Sequence, residues 1–144
     1  MSEIHARRRG EPFTVRFDRN TQRAIEAEAR RERRTRTAVV EELADEALRA
    51  RRFPGLAFRE SFPRRRPWII GAGFDVWELC ELLERYPDVD TLVDDFPLLE
   101  QAHVDLALAY REAYPDEIAE ALAENALGAA EWRKQAPFVR PARP

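Results

Sequence analysis

The chain has little of what staples, anchors or exports a protein. Its 144 residues include one cysteine, Cys80, which excludes a disulfide framework and any cysteine-based zinc finger. The longest near-apolar run, residues 67–74, is far too short to span a bilayer. The start, Met1-Ser2-Glu3-Ile4-His5-Ala6-Arg7-Arg8-Arg9, carries no apolar core of a signal peptide, so a cytoplasmic location is expected. No internal repeat is evident. Lysine is nearly missing too: Lys134 is the single one, and the other 23 basic residues are arginine. That bias, beside abundant alanine, is compatible with genome composition, so arginine counts alone identify nothing.

What is present is charge, unevenly distributed. Residues 1–67 hold 18 arginines against 11 acids, a balance of +7; residues 68–144 hold 6 basic residues against 16 acids, a balance of −10. A basic half followed by an acidic half suggests a polyanion-binding module joined to something else. A hydrophobic content of 44% is enough for a packed core.

Four segments are expected: a basic arm over residues 1–11, a first domain over 12–52, a second over 53–127, and a helix end with a Pro/Arg tail over 128–144. Phe13-Thr14-Val15-Arg16-Phe17 alternates strictly, which predicts a strand with Phe13, Val15 and Phe17 on one face. Asp18 or Asn20 caps a helix that runs to Arg33. Thr35-Arg36-Thr37 breaks it and opens a second helix, whose Val40, Leu43, Ala44, Ala47 and Leu48 fall on one stripe. Pro54-Gly55 marks a boundary. Two short strands, 56–60 and 66–70, are expected around a basic loop, Phe62-Pro63-Arg64-Arg65-Arg66. Asp75 and Glu78 fit a capping box for the next helix. A short helix stops before Pro97, and the next is expected to turn Ala102, His103, Leu106, Ala109 and Tyr110 inward. Pro115-Asp116-Glu117 starts a last helix, with Ile118, Leu122, Ala126, Ala129 and Trp132 along one stripe.

A single strand in 40 residues can neither bury its apolar face nor satisfy its backbone alone. Two copies pairing these strands antiparallel would do both, leaving Thr14 and Arg16 on a two-stranded ribbon that fits the major groove of B-DNA. Residues 12–52 thereby resemble the ribbon-helix-helix DNA-binding family. The resemblance implies a homodimer in which Thr14 and Arg16 read base edges of duplex DNA. Thr35, Arg36 and Thr37 would hold a phosphate at the start of the second helix. Arg7, Arg8 and Arg9 would add contacts independent of sequence.

The second domain carries Trp68-Ile69-Ile70-Gly71-Ala72-Gly73-Phe74-Asp75-Val76-Trp77-Glu78-Leu79, then Tyr86-Pro87, Phe96-Pro97-Leu98 and Ala107-Leu108-Ala109-Tyr110. It resembles the domain of unknown function numbered 433. The order of the motifs through Tyr114-Pro115-Asp116-Glu117-Ile118 is similar to a VapB-type antitoxin branch over about residues 13–127. The fold so implied is mainly α: a ribbon-helix-helix unit of one strand and two helices, then a small helix-turn-helix-like domain with a short β-hairpin. Members are often encoded beside a toxin of the PIN nuclease type. Asp94, Asp95 and Glu100 around the candidate second helix would repel phosphate, so a protein-contact role is expected for this domain.

No catalytic constellation assembles, and no enzyme, cofactor or metal site is expected. The aspartates 88, 90, 94 and 95 lack the glycine of a calcium loop, and Gly71-Ala72-Gly73 lacks the third glycine of a dinucleotide loop. His103 has no second histidine at ligand spacing, and Cys80 reads as packing. The expected function is an antitoxin of a type II toxin–antitoxin system that represses its own operon and neutralises a PIN-like ribonuclease. Neutralisation would use Ile118, Leu122 and Trp132 as anchors. Phe138, Val139, Arg140 and Arg143 of the tail would follow, the arginines pairing with the nuclease's metal-binding carboxylates. The alternative is a stand-alone dimeric regulator whose acidic domain senses a protein or ligand, and a weaker third is an adaptor that uses the ribbon only to dimerise.

Overall fold

In the computed structural model, residues 10–61 and 64–135 are described, without the side chains of Trp132, Arg133 and Gln135. Asp18 opens the first helix, α1 (Arg19–Glu32): its carboxylate accepts the N–H groups of Asn20 and Thr21 at 2.8 and 2.9 Å. These bonds hold the Asp18 carboxyl below its ordinary range, because they favour the charged form. Arg33 ends α1 in the left-handed region at φ 54°, its N–H returning to the carbonyls of Ala29 and Arg30. Thr35 then caps α2 (Arg36–Arg52), its hydroxyl accepting from Ala38 N–H at 3.1 Å.

A hairpin follows, β1 (Leu56–Ser61) against β2 (Arg64–Ile69), antiparallel, with Leu56 opposite Ile69 and Arg59 opposite Arg66. Next come α3 (Val76–Arg85), α4 (Val89–Asp95), α5 (Gln101–Ala113) and α6 (Pro115–Gln135). The Asp75/Glu78 capping box at α3 is present, with Asp75 N–H donating to Glu78 Oε2 at 2.7 Å. Asp88 caps α4 through Thr91 N–H at 2.7 Å.

The chain divides into two compact units between Ala44 and Asp45, inside α2 rather than at the expected boundary after residue 52. In the first unit the buried apolar residues are Ile25, Ala29 and Val39 alone among the described residues. The second unit has a continuous core built on Phe53, Leu56, Ile69, Val76, Leu79, Cys80, Leu92, Val104, Tyr110 and Ile118, several of them fully inaccessible.

Four expectations need correcting. Residues 13–17 form no strand; the two strands of the structure come after two helices, so the strand–helix–helix order is not present in the single chain. A lone segment has no ladder partner, and among the described residues none pairs with it. Second, α2 buries Val39, whereas Leu43, Ala44, Ala47 and Leu48 stay exposed, Leu48 at 67%. Third, Arg64, Arg65 and Arg66 belong to β2 and not to a loop. Last, α5 turns Val104, Ala107 and Tyr110 inward while Ala102 and Ala109 face out.

Candidate nucleic-acid interface

Thr14 and Arg16 are exposed, as are the alternating residues Phe13, Val15 and Phe17, at 86%, 53% and 42%. These are three large apolar side chains in solvent within five residues. Between α1 and α2 lies an open groove of about 490 Å³ lined by Glu26, Ala29, Arg30, Arg33, Arg34 and Arg36. Arg34 is engaged there by Glu42 at 2.9 Å and Glu32 at 3.1 Å, and these partners raise its pKa. Arg36 reaches Glu26 at 3.2 Å but stays 65% exposed. Arg30 and Arg33 make no ion pair among the described residues, so the groove keeps uncompensated positive charge. It adjoins the start of α2, where the first backbone N–H groups have no intrahelical acceptor.

Of the residues expected to hold phosphate, Thr35 is the helix cap, and Arg36 and Thr37 are exposed in the first turn. Sequence reasoning missed Arg30, Arg33 and Arg34; the clustering of five arginines between residues 30 and 36 was the available signal. Arg7, Arg8 and Arg9 lie outside the described residues.

In the second unit the β2 arginines are spent on glutamates. Arg65 pairs with Glu46 at 2.6 Å and donates to Phe58 O at 3.1 Å; Arg64 pairs with Glu124 at 2.7 Å, and Arg66 with the same Glu124. Asp75, 2% exposed, accepts from Arg59 Nε at 2.8 Å and Trp77 Nε1 at 3.2 Å. Arg49, 5% exposed, donates to Tyr110 Oη at 2.7 Å and Glu117 Oε2 at 2.6 Å, and lies 4.0 Å over the Tyr114 ring. Tyr110 Oη in turn donates to Glu117 Oε1 at 2.7 Å.

Ile118, at 2% exposure, is part of the second unit's core, and Leu122 packs against it. Ile118 is thus buried within its own unit, and Leu122 is half-buried. Phe138, Val139, Arg140 and Arg143 lie outside the described residues, as does the Trp132 side chain. His103 accepts Glu100 N–H on Nδ1 at 3.0 Å, completing the cap of α5. Among the described residues no group of three His, Cys, Asp or Glu side chains converges as a metal site would require, and no helix is long and apolar enough to cross a membrane.

Residues 64–110, from the start of β2 to Tyr110 of α5, match the family model DUF433, described as a protein of unknown function. The match excludes residues 12–52, on which the ribbon-helix-helix resemblance rests, and is narrower than residues 13–127. No match was found among curated proteins or solved structures. The chain thus contains a DUF433-like segment within its second unit.

Proposed function

We propose that the chain is a dimeric DNA-binding regulator whose first unit pairs with a second copy through residues 13–17. The observation that carries this reading is the exposed alternation of Phe13, Val15 and Phe17 ahead of two helices that bury only Ile25, Ala29 and Val39. A unit with so small a core needs more cover than its own chain gives. A second copy offers an identical segment for a ladder and the exposed Leu43 and Ala44 of α2 for the apolar face. Thr14 and Arg16 then project from the ribbon toward base edges, and Arg30, Arg33 and Arg36 beside Thr35 and Thr37 meet phosphates.

The second part of the proposal is antitoxin action: capture of a PIN-like nuclease by the second unit, with Trp132 and the segment holding Phe138, Val139, Arg140 and Arg143 as contacts. Burial of Ile118 in its own core, with Leu122 half-buried against it, supports keeping the stand-alone regulator as a second reading.

Light scattering on Val15→Asp tests the dimer: the parent chain is expected to run as a dimer and the variant as a monomer that has lost DNA binding. A parent that is monomeric at all concentrations overturns the ribbon. Arg16→Ala should weaken binding to the preferred DNA by about 1–3 kcal/mol and relax sequence preference. Co-expression with the adjacent reading frame separates the two readings of the second unit. Rescue of growth with stoichiometric co-purification selects antitoxin action, and an innocuous neighbour with no complex selects the free regulator.

A further inference from the structure

Arg64 and Arg66 stand two residues apart on β2 and so share a face of the strand. Both close on one anion: Arg64 Nη2 donates to Glu124 Oε1 at 2.7 Å, and Arg66 Nη2 donates to Glu124 Oε2. Two guanidiniums each holding one oxygen of the same group is an arrangement that suits a phosphate as well as a carboxylate. Glu124 does not saturate it. Arg66 is 6% exposed, yet its buried Nε has no hydrogen-bond partner, so the fork has a donor more than the glutamate can satisfy. A phosphate brings four oxygens where the carboxylate brings two.

The glutamate is also weakly tethered. Upstream, α6 is fixed by Ile118 and Ala121, at 2% and 6% exposure. Downstream, residues 126–131 are all exposed, Leu127 at 71%. Near this point α6 is tied to other elements by the Glu124 pairs and a long Asn125 to Glu81 bond at 3.4 Å. Withdrawing residues 124–131 therefore uncovers no buried apolar side chain; what it breaks is the Glu124 ion pairs. One indole stands beside the fork, with Arg66 Cζ 5.5 Å from the Trp77 ring centroid; a second, Trp68, lies on the same strand with Arg59 Cζ 4.9 Å from its ring centroid. Aromatic faces beside a cationic strand are what unpaired bases stack on.

We infer that Arg64 and Arg66 form a phosphate-binding fork that Glu124 fills in cis, and that its ligand is the backbone of a single-stranded nucleic acid, which displaces the end of α6. This site lies wholly in the second unit and does not depend on the DNA-binding reading of the first. Its test uses the full chain, a short fluorescent oligouridylate, and hydrogen exchange read separately over residues 64–69 and 115–135. Glu124→Gln removes the nearer competing charge, leaving Glu120 at 3.6 Å from Arg64 Nη1, and keeps the side chain's shape. It should tighten oligouridylate binding about tenfold, with new protection over residues 64–69. Adding Arg64→Ala to it should abolish the gain.

No gain and no protection over residues 64–69 overturns the fork. Protection by inorganic pyrophosphate but not by oligouridylate overturns the nucleic-acid ligand, as does protection by duplex DNA alone. Should Glu124→Gln unfold, the unaltered chain titrated with oligouridylate at low salt gives the same decision. Faster exchange over 126–135 with slower exchange over 64–69 supports displacement, and unchanged exchange in both overturns it. Failure of Arg16→Ala to affect DNA binding bears on the first unit only and leaves these readouts unmoved.

Discussion

Arg49 shows how one residue can be decided by its surroundings. It sits among arginines at 51 and 52 in a basic helix end, and by sequence it is one more solvated charge. In the structure it is 5% exposed, and burial works against its charge. Glu117 and Tyr110 more than restore it, and the net shift is upward. Removing the arginine would leave Glu117 Oε2 without its donor and Tyr110 Oη with its bond to Glu117 Oε1 alone, so Arg49→Ala should destabilise the second unit by about 2–4 kcal/mol in urea unfolding, and Glu117→Gln by less. Glu117 is 36% exposed, so water replaces part of what it loses. Cys80 is the opposite case, a residue whose packing role is legible from its apolar helical neighbours. Burial pushes its thiol from an ordinary 9 up to about 11. The protonated form is therefore favoured by folding. Its contribution is complete below pH 9 and is lost as the pH rises toward 11, and Tyr110, raised first by burial and then by Glu117, acts in the same sense. Urea midpoints of the second unit should fall over that interval, and Cys80 should resist a thiol reagent until the unit unfolds.

At the scale of elements, local rules were legible wherever a short spacing settles the backbone. Asp18 and Asp75 begin helices, and Pro115 occupies the first turn of α6, because each satisfies or forgoes orphan N–H groups within a few residues. Gly55 likewise stands at φ +98°, with Leu106 Cδ2 only 3.3 Å from where a β-carbon would be. Gly55→Ala should cost about 1–2 kcal/mol in thermal or urea unfolding of the second unit without altering its helix content. Faces were harder to read than boundaries. On α5 the alanines at 102 and 109 fit an inner stripe as well as an outer one, since a methyl group gains little from burial; the larger Val104 and Tyr110 decided the rotation. On α2 two apolar stripes compete, and the chain buries Val39 while leaving Leu43 and Leu48 exposed at 50% and 67%. In the hairpin, Arg59 stands directly opposite Arg66, a repulsive pair by itself. It is tolerated because Asp75 takes one and Glu124 the other, partners 16 and 58 residues distant.

For the whole molecule, the charge division between halves and the absence of a disulfide framework follow from composition and needed no coordinates. So did the helical class and the hairpin, because periodicity and turn chemistry act over a few residues. The sequence did not reveal that the chain divides within α2, or that the first unit buries three apolar residues while the second holds an extended core. On the dimer reading, this inequality predicts two unfolding transitions. The first unit's midpoint should rise with protein concentration, since association stabilises only what it binds, while the second unit's should not move. A single transition independent of concentration would count against pairing through residues 13–17. Of the residues in the proposed interface, Thr14, Arg16 and Thr35 to Thr37 were named by alternation and capping, whereas the Arg30 and Arg33 groove needed the left-handed turn that sets α1 beside α2. By itself, then, the sequence determined the helix starts and the hairpin, because each depends on neighbours along the chain. The tertiary structure alone decided that Ile118 is core, that Arg49 is buried, and that Arg64 and Arg66 converge on Glu124. Burial and ion pairing depend on residues that only folding brings together.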